Sequence, residues 1–315
     1  MNNSNVNPGG SSFRYSSFVY CSIMGTISPI IVVGNVFTIV IFSTRKSGSN
    51  RAHILLISLA VADILVGAIS VPLFIYLMGS QQKWWGSKGS RIINLIYGAN
   101  DILAGFASIF CLVCIALERL YAIKWPMKHR LTTKRAYYYC LALIWFTSGL
   151  IAALRFVVKF LTLAYIIVIS FGLSFLLIFT AYITLWYSVK NRKVDSAKRQ
   201  RETKTDRKLA KTLILVTLVF VLTWVPFQVV LAVFYYFCLP SCYPLSLTAF
   251  YATKILHYAN SMANPTLYVF RIKVFRDSII DNLKCKRCKT ETHIENPTLH
   301  PAAQSNLTLE YDTKL

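Results

Sequence analysis

A few ionisable side chains stand where the surrounding residues are almost wholly apolar. Asp63 closes the run Leu59-Ala-Val-Ala-Asp63, and Asp101 is the only charge between Ile92 and Leu117. Lys254 opens a second polar series, continued by His257, Tyr258, Asn260, Ser261 and Asn264. A carboxylate or ammonium in such surroundings is costly alone, so it pairs, binds a cation or faces a watery cavity. Asp101 and Arg119 are 18 residues apart. That is about five turns at ~3.6 residues per turn, which puts them on one face near opposite ends of one helix, with Ser108 between. Such a helix can join a polar site at one end to a Glu118-Arg119 pair at the other. No nucleophile-base-acid set and no metal-ligand cluster is present in the sequence, which argues against an enzyme and against a metal centre.

The elements that must carry these residues are seven apolar runs, at 18–42, 54–78, 92–117, 136–154, 160–189, 212–239 and 243–270. Each is about as long as a membrane helix requires, roughly 20 residues. The chain is 55% hydrophobic and only 15% charged, where a soluble domain is closer to a quarter charged. The expected fold is an all-α membrane protein: a seven-transmembrane helix bundle plus a short amphipathic surface helix. The expected organisation is a disordered extracellular N-terminus over 1–17, a membrane domain over 18–270, the surface helix over 271–283 and a cytoplasmic tail over 284–315. No secretory signal precedes the first span.

The net charge of +22 suggests nucleic acid until it is mapped. Of 34 Lys and Arg, 27 fall in alternate loops and the tail, and 7 on the opposite side. The positive-inside rule then sets the N-terminus outside and the C-terminus in the cytoplasm, with the basic loops against inner-leaflet lipid. Nucleic-acid binding is not expected. Cys238 and Cys242 flank a three-residue outer loop segment, where an oxidising compartment favours a local disulfide over free thiols. Cys285 and Cys288 follow the surface helix, and palmitoylation and free thiols are both open readings. Pro72 and Pro226 are expected to bend spans two and six.

The polar residues also carry a resemblance. Asn35, Leu59-Ala-Val-Ala-Asp63, Ser108, Glu118-Arg119-Leu-Tyr121, Trp145, Phe220…Trp224-Val-Pro226 and Asn264-Pro265-x-x-Tyr268 fall in order on spans one, two, three, four, six and seven. This pattern resembles the class A, rhodopsin-like G-protein-coupled receptors. The resemblance implies a receptor of the plasma membrane that passes an extracellular ligand's binding to a heterotrimeric G protein.

The resemblance also implies roles. Glu118 and Arg119, with Asp206 at the same end of span six, would form the switch that Tyr182, Trp224, Pro226 and Tyr268 serve. Asp63, Ser108, Asn260, Ser261 and Asn264 match the family's sodium pocket, the one cofactor-like ion implied. Asp101, Tyr258, Phe227 and Ser170 match ligand-pocket positions, with Lys254 one turn outward from Tyr258 and able to neutralise Asp101. A cationic amine or a peptide is the expected ligand, and a lipid or another anion the alternative within the class. Arrestin, through Thr290, Thr292 and Thr298, and a PDZ protein, through Asp312-Thr313-Lys314-Leu315, are further expected partners.

Departures from the family pattern are plain. Asn94 stands where the usual outer disulfide begins, no cysteine lies between Cys140 and Cys238, and span five has no proline. Tyr258 occupies the position an opsin gives to its retinal lysine. A transporter or channel is the rival class, but the inverted repeats and broken helices it would need are not evident.

Overall fold

A computed structural model describes residues 8–44, 52–84, 90–190, 197–233 and 245–271. The side chains at 8–14, 52, 160, 189–190, 197–213, 216, 245–247 and 270–271 lie outside the described part. The helices are α1 (Pro8–Thr44), α2 (Ala52–Leu65), α3 (Val71–Gln81), α4 (Arg91–Lys124), α5 (Pro126–Leu131), α6 (Lys134–Val157), α7 (Phe160–Lys190), α8 (Ala197–Val233) and α9 (Leu245–Arg271). A single π-helical turn, Val66–Ser70, joins α2 to α3. With α2 and α3 counted as one span and the short α5 as a connector, the seven apolar runs become seven long helical spans.

Among the described residues, five spans, those of α1, α2–α3, α4, α6 and α7, are long and apolar enough to cross a membrane. The apolar stretch of α8 over Thr217–Val233 is shorter, and α9, interrupted by its buried polar residues, is not among the five. The helix α4 is the axis of the bundle. It packs against α2, α6, α7 and α8, while α1 and α8 flank α9 on the far side. A core of Leu59, Phe106, Ile109, Leu112, Phe220 and Trp224 fills the space between.

Two expectations change in detail. The N-terminal segment read as disordered through residue 17 is helical from Pro8, and Ser17 is buried against the bundle. The bend foreseen at Pro72 takes the form of the π-turn just before it. Proline cannot donate to the preceding turn, so the ladder widens there and the Val71 N–H donates to the Val66 carbonyl. Neighbouring helices satisfy the exposed carbonyls. Asn100 Nδ2 donates to Leu65 O at 3.2 Å and Ser28 Oγ to Gly67 O at 2.7 Å. The amide of Asn35, alone in apolar surroundings, donates across to Ser261 O at 3.0 Å. The link between α6 and α7 is very short, as expected, because α6 ends at Val157 and α7 starts at Phe160.

The expected disulfide at Cys238 and Cys242, the cysteines at 285 and 288, and the surface helix over 271–283 lie outside the described residues, apart from Arg271 at the end of α9. The four described cysteines are free, and Cys21 and Cys111 are buried as small apolar side chains.

Candidate functional site

A cavity of about 480 Å³ opens at the Asp101 end of the bundle, between α4, α7, α8 and α9. Asp101, Phe227 and Lys254, three of the residues that the resemblance assigns to a ligand pocket, line it. Tyr258 sits just behind the wall, fully buried, with its hydroxyl 3.2 Å from that of Tyr97. Ser170 is not brought in. On α7 the wall is made by Ile167 and Phe171, one turn apart, and the Ser170 carbonyl instead accepts a bond from Ser174 Oγ.

Lys254 and Asp101 form a direct ion pair. Nζ lies 2.6 Å from Asp101 Oδ2, with the lysine 1% exposed. The other carboxylate oxygen, Oδ1, is buried without a hydrogen-bond partner, as are Gln228 Oε1 and His257 Nδ1. Gln228, His257 and Tyr97 line the cavity, and the sequence reading did not place them there. The signal was available for Tyr97, which stands four residues before Asp101 and so on the same helical face.

The floor of the cavity is Trp224. Its ring lies 4.6 Å from Phe171, 5.2 Å from Phe220 and 4.0 Å from His257. Gly105 of α4 faces the indole so closely that a Cβ there would sit 2.6 Å from Trp224 Cη2. Gly105→Ala is therefore expected to force the indole from its packed position, at a cost of about 1–3 kcal/mol. A lowered melting temperature of the purified protein would report it.

Below the floor lies the polar core. Asp63 is fully buried, its Oδ2 accepts from Asn264 Nδ2 at 2.7 Å, and Ser261 lies beside it. Asp63 Oδ1 has no hydrogen-bond partner. Ser108 and Asn260 are buried near the same level, but Asn260 Oδ1 accepts from Thr223 Oγ1 at 3.2 Å and so ties α9 to α8 beside Trp224. No group of three or more His, Cys, Asp or Glu suited to a metal ion exists among the described residues. The orphan carboxylate oxygen among hydroxyls fits a small hard cation, which takes oxygen ligands.

At the opposite end of α4, Glu118 gathers three partners. Arg119 Nε lies 2.7 Å from its Oε2, and His129 Nε2 and Tyr137 OH lie 2.9 and 3.3 Å from its Oε1. His129 belongs to α5 and Tyr137 to α6, so one carboxylate fastens the connecting helix to two spans. Neither partner was singled out from the sequence, because the contact depends on how α5 folds back. Tyr182 OH lies 3.1 Å from Thr217 Oγ1 and links α7 to α8, while Tyr268 is buried against Phe42. Pro226 lies inside α8 as expected. Asp206 is also on α8, but its side chain lies outside the described part, and the expected Arg119–Asp206 pair with it.

The family model of the seven-transmembrane receptors (rhodopsin family) matches residues 34–162 and 155–268. Among curated proteins, an adenosine receptor A3 from Ovis aries is 27% identical over 90% of this chain and 96% of its own length. One from Bos taurus is 26% identical over 87% and 92%. A somatostatin receptor type 5 from Rattus norvegicus is 28% identical over 78% of this chain and 72% of its own. These relatives are receptors. With a cavity at one end of a helical bundle, a buried polar core and a Glu-Arg pair at the other end, the chain belongs to the rhodopsin family of seven-transmembrane receptors, the G-protein-coupled class its motifs resemble.

Proposed function

We propose that the Asp101 cavity receives an extracellular ligand and that its occupation is passed along α4, α8 and α9 to release Arg119 for a heterotrimeric G protein. The observation that carries this reading is a series of contacts from the cavity down to the polar core. His257 touches both the cavity and Trp224, Thr223 next to Trp224 bonds Asn260, and Asn264 one turn on bonds Asp63. A shift of Trp224 alters the α8–α9 contact at its narrow point, and the far end of α8 can then swing from α4. The charge distribution among loops supports a plasma-membrane protein with the Asp101 end outside. A sodium ion held by Asp63, Ser108 and Ser261 would favour the resting arrangement by holding α2, α4 and α9 together. Tail phosphorylation for arrestin, a PDZ partner at the last four residues and lipidation of Cys285 and Cys288 complete the proposed interactions.

The relatives' names point to two unlike ligands, adenosine and somatostatin, so the ligand is best read from the cavity. Its aromatic walls, with the polar side chains of Gln228 and His257 among them, suit a ligand that combines an apolar ring with polar groups.

Nucleotide exchange on a panel of purified G proteins tests the reading, with wild type and Arg119→Ala in the same lipid. Wild type is expected to accelerate exchange on at least one, and Arg119→Ala to lose at least nine-tenths of that rate. Ion or solute flux through wild type, without exchange on any G protein, would favour the transporter instead.

A further inference from the structure

An ammonium site needs a carboxylate and aromatic faces, and here both are already filled. Lys254 Nζ lies 2.6 Å from Asp101 Oδ2. It also lies 4.3 Å from the ring centre of Phe227, 4.7 Å from Tyr258 and 5.8 Å from Tyr97. One carboxylate and three rings within about 6 Å make up a complete cation cage. Two pairs of residues four apart, Tyr97 with Asp101 on α4 and Lys254 with Tyr258 on α9, build it. The Tyr97–Tyr258 hydroxyl contact at 3.2 Å closes it across the two helices.

We propose that Lys254 is a resident ammonium, which fills the cavity's own cation site and so bars cationic ligands from Asp101. A second cation at Asp101 would have to share one carboxylate with an ammonium already there, and like charges at that range repel. The rest of the lining adds to the barrier. Asp101 is its single acid, whereas Arg155 joins Lys254 as a second basic residue. Asp101 Oδ1 is itself buried, so the carboxylate presents no open oxygen to a second cation. The inference concerns the same cavity as the proposed receptor function, but its core claim can be read from binding alone, without any G protein.

The test is chemical replacement of the side chain. Lys254→Ala removes three methylenes and the ammonium, the dimensions of n-propylammonium. The full-length protein is purified as wild type, Lys254→Ala and Lys254→Ala/Asp101→Asn. Melting temperatures are compared in n-propylammonium chloride and in sodium chloride of equal ionic strength. Lys254→Ala is expected to melt about 5 °C or more below wild type, since a buried carboxylate loses its partner. Millimolar propylammonium is expected to restore at least half of that loss, to leave the double variant unmoved, and to leave wild type unmoved.

Stabilisation of wild type by propylammonium, lost in Asp101→Asn, would mean an open cation site and overturn the proposal. So would Lys254→Ala melting with wild type, or melting low without rescue. If Lys254→Ala cannot be recovered alone, it is expressed and purified in propylammonium throughout. Recovery there supports the proposal, and continued loss overturns it. A receptor that fails to couple to any G protein leaves these melting results intact, so the two failures are distinguishable.

Discussion

Replacing Glu118 by alanine is expected to raise ligand-independent nucleotide exchange about tenfold over wild type. Glu118 holds Arg119 Nε at 2.7 Å while its other oxygen holds His129 and Tyr137. The two members of the ion pair are largely shielded, with side chains 12% and 8% exposed for Arg119 and Glu118. They meet as an ion pair without a hydrogen bond, and in so shielded a place the pair contributes more than the roughly 1 kcal/mol of an exposed one. About 1.4 kcal/mol is enough for a tenfold change in the balance between held and released arginine. Removal of Glu118 also frees α5 from α4 and α6, which loosens the same end of the bundle. Tyr137→Phe, which deletes one neutral donor, is expected to raise the basal rate by no more than about threefold. The ratio between these variants is the informative quantity. If Asp206→Asn raises the basal rate and Glu118→Ala leaves it unchanged, the restraint on Arg119 comes from α8 and not from its own neighbour.

The contrast between Glu118 and Lys254 shows what a linear sequence reveals of this site. The spans were legible because apolar runs of membrane length are hard to produce otherwise, and the buried polar residues because they interrupt those runs. The Lys254–Asp101 pair could be foreseen as an option, since both residues stand near the same end of their spans. What escaped notice depends on helix rotation or on a break in the ladder. Ser170 has the right depth on α7, but the rotation of that helix gives the wall to Ile167 and Phe171. The bend at Pro72 was expected, yet its form as a π-turn, and the use of Asn100 and Ser28 to satisfy the carbonyls it exposes, follow from cross-helix contacts. Gly105 reads as one more small residue until Trp224 is found against it. His129 reads as one of several basic loop residues until α5 turns it back to Glu118.

Asp63 is where the largest combined loss of stability and switching is expected. It is the only ionisable side chain at its depth that bonds directly to α9, through Asn264 at 2.7 Å, among the described residues. It also lies only three residues before the π-turn, where the backbone of the span is least regular. Asp63→Ala would leave the Asn264 amide buried without its acceptor, a cost of about 1–3 kcal/mol before any cavity is counted. Asp63→Asn keeps the shape and an acceptor oxygen but removes the charge. The two variants therefore separate structure from ion binding. Asp63→Ala is expected to lower the melting temperature in any salt. Asp63→Asn is expected to melt near wild type in choline chloride but to lose the rise that sodium chloride gives wild type. In an exchange assay, Asp63→Asn should likewise abolish the difference between basal rates in sodium and choline. If wild type itself melts and signals alike in both salts, no ion is held at Asp63, and its part in the switch reduces to its bonds to Asn264 and Ser261 on α9.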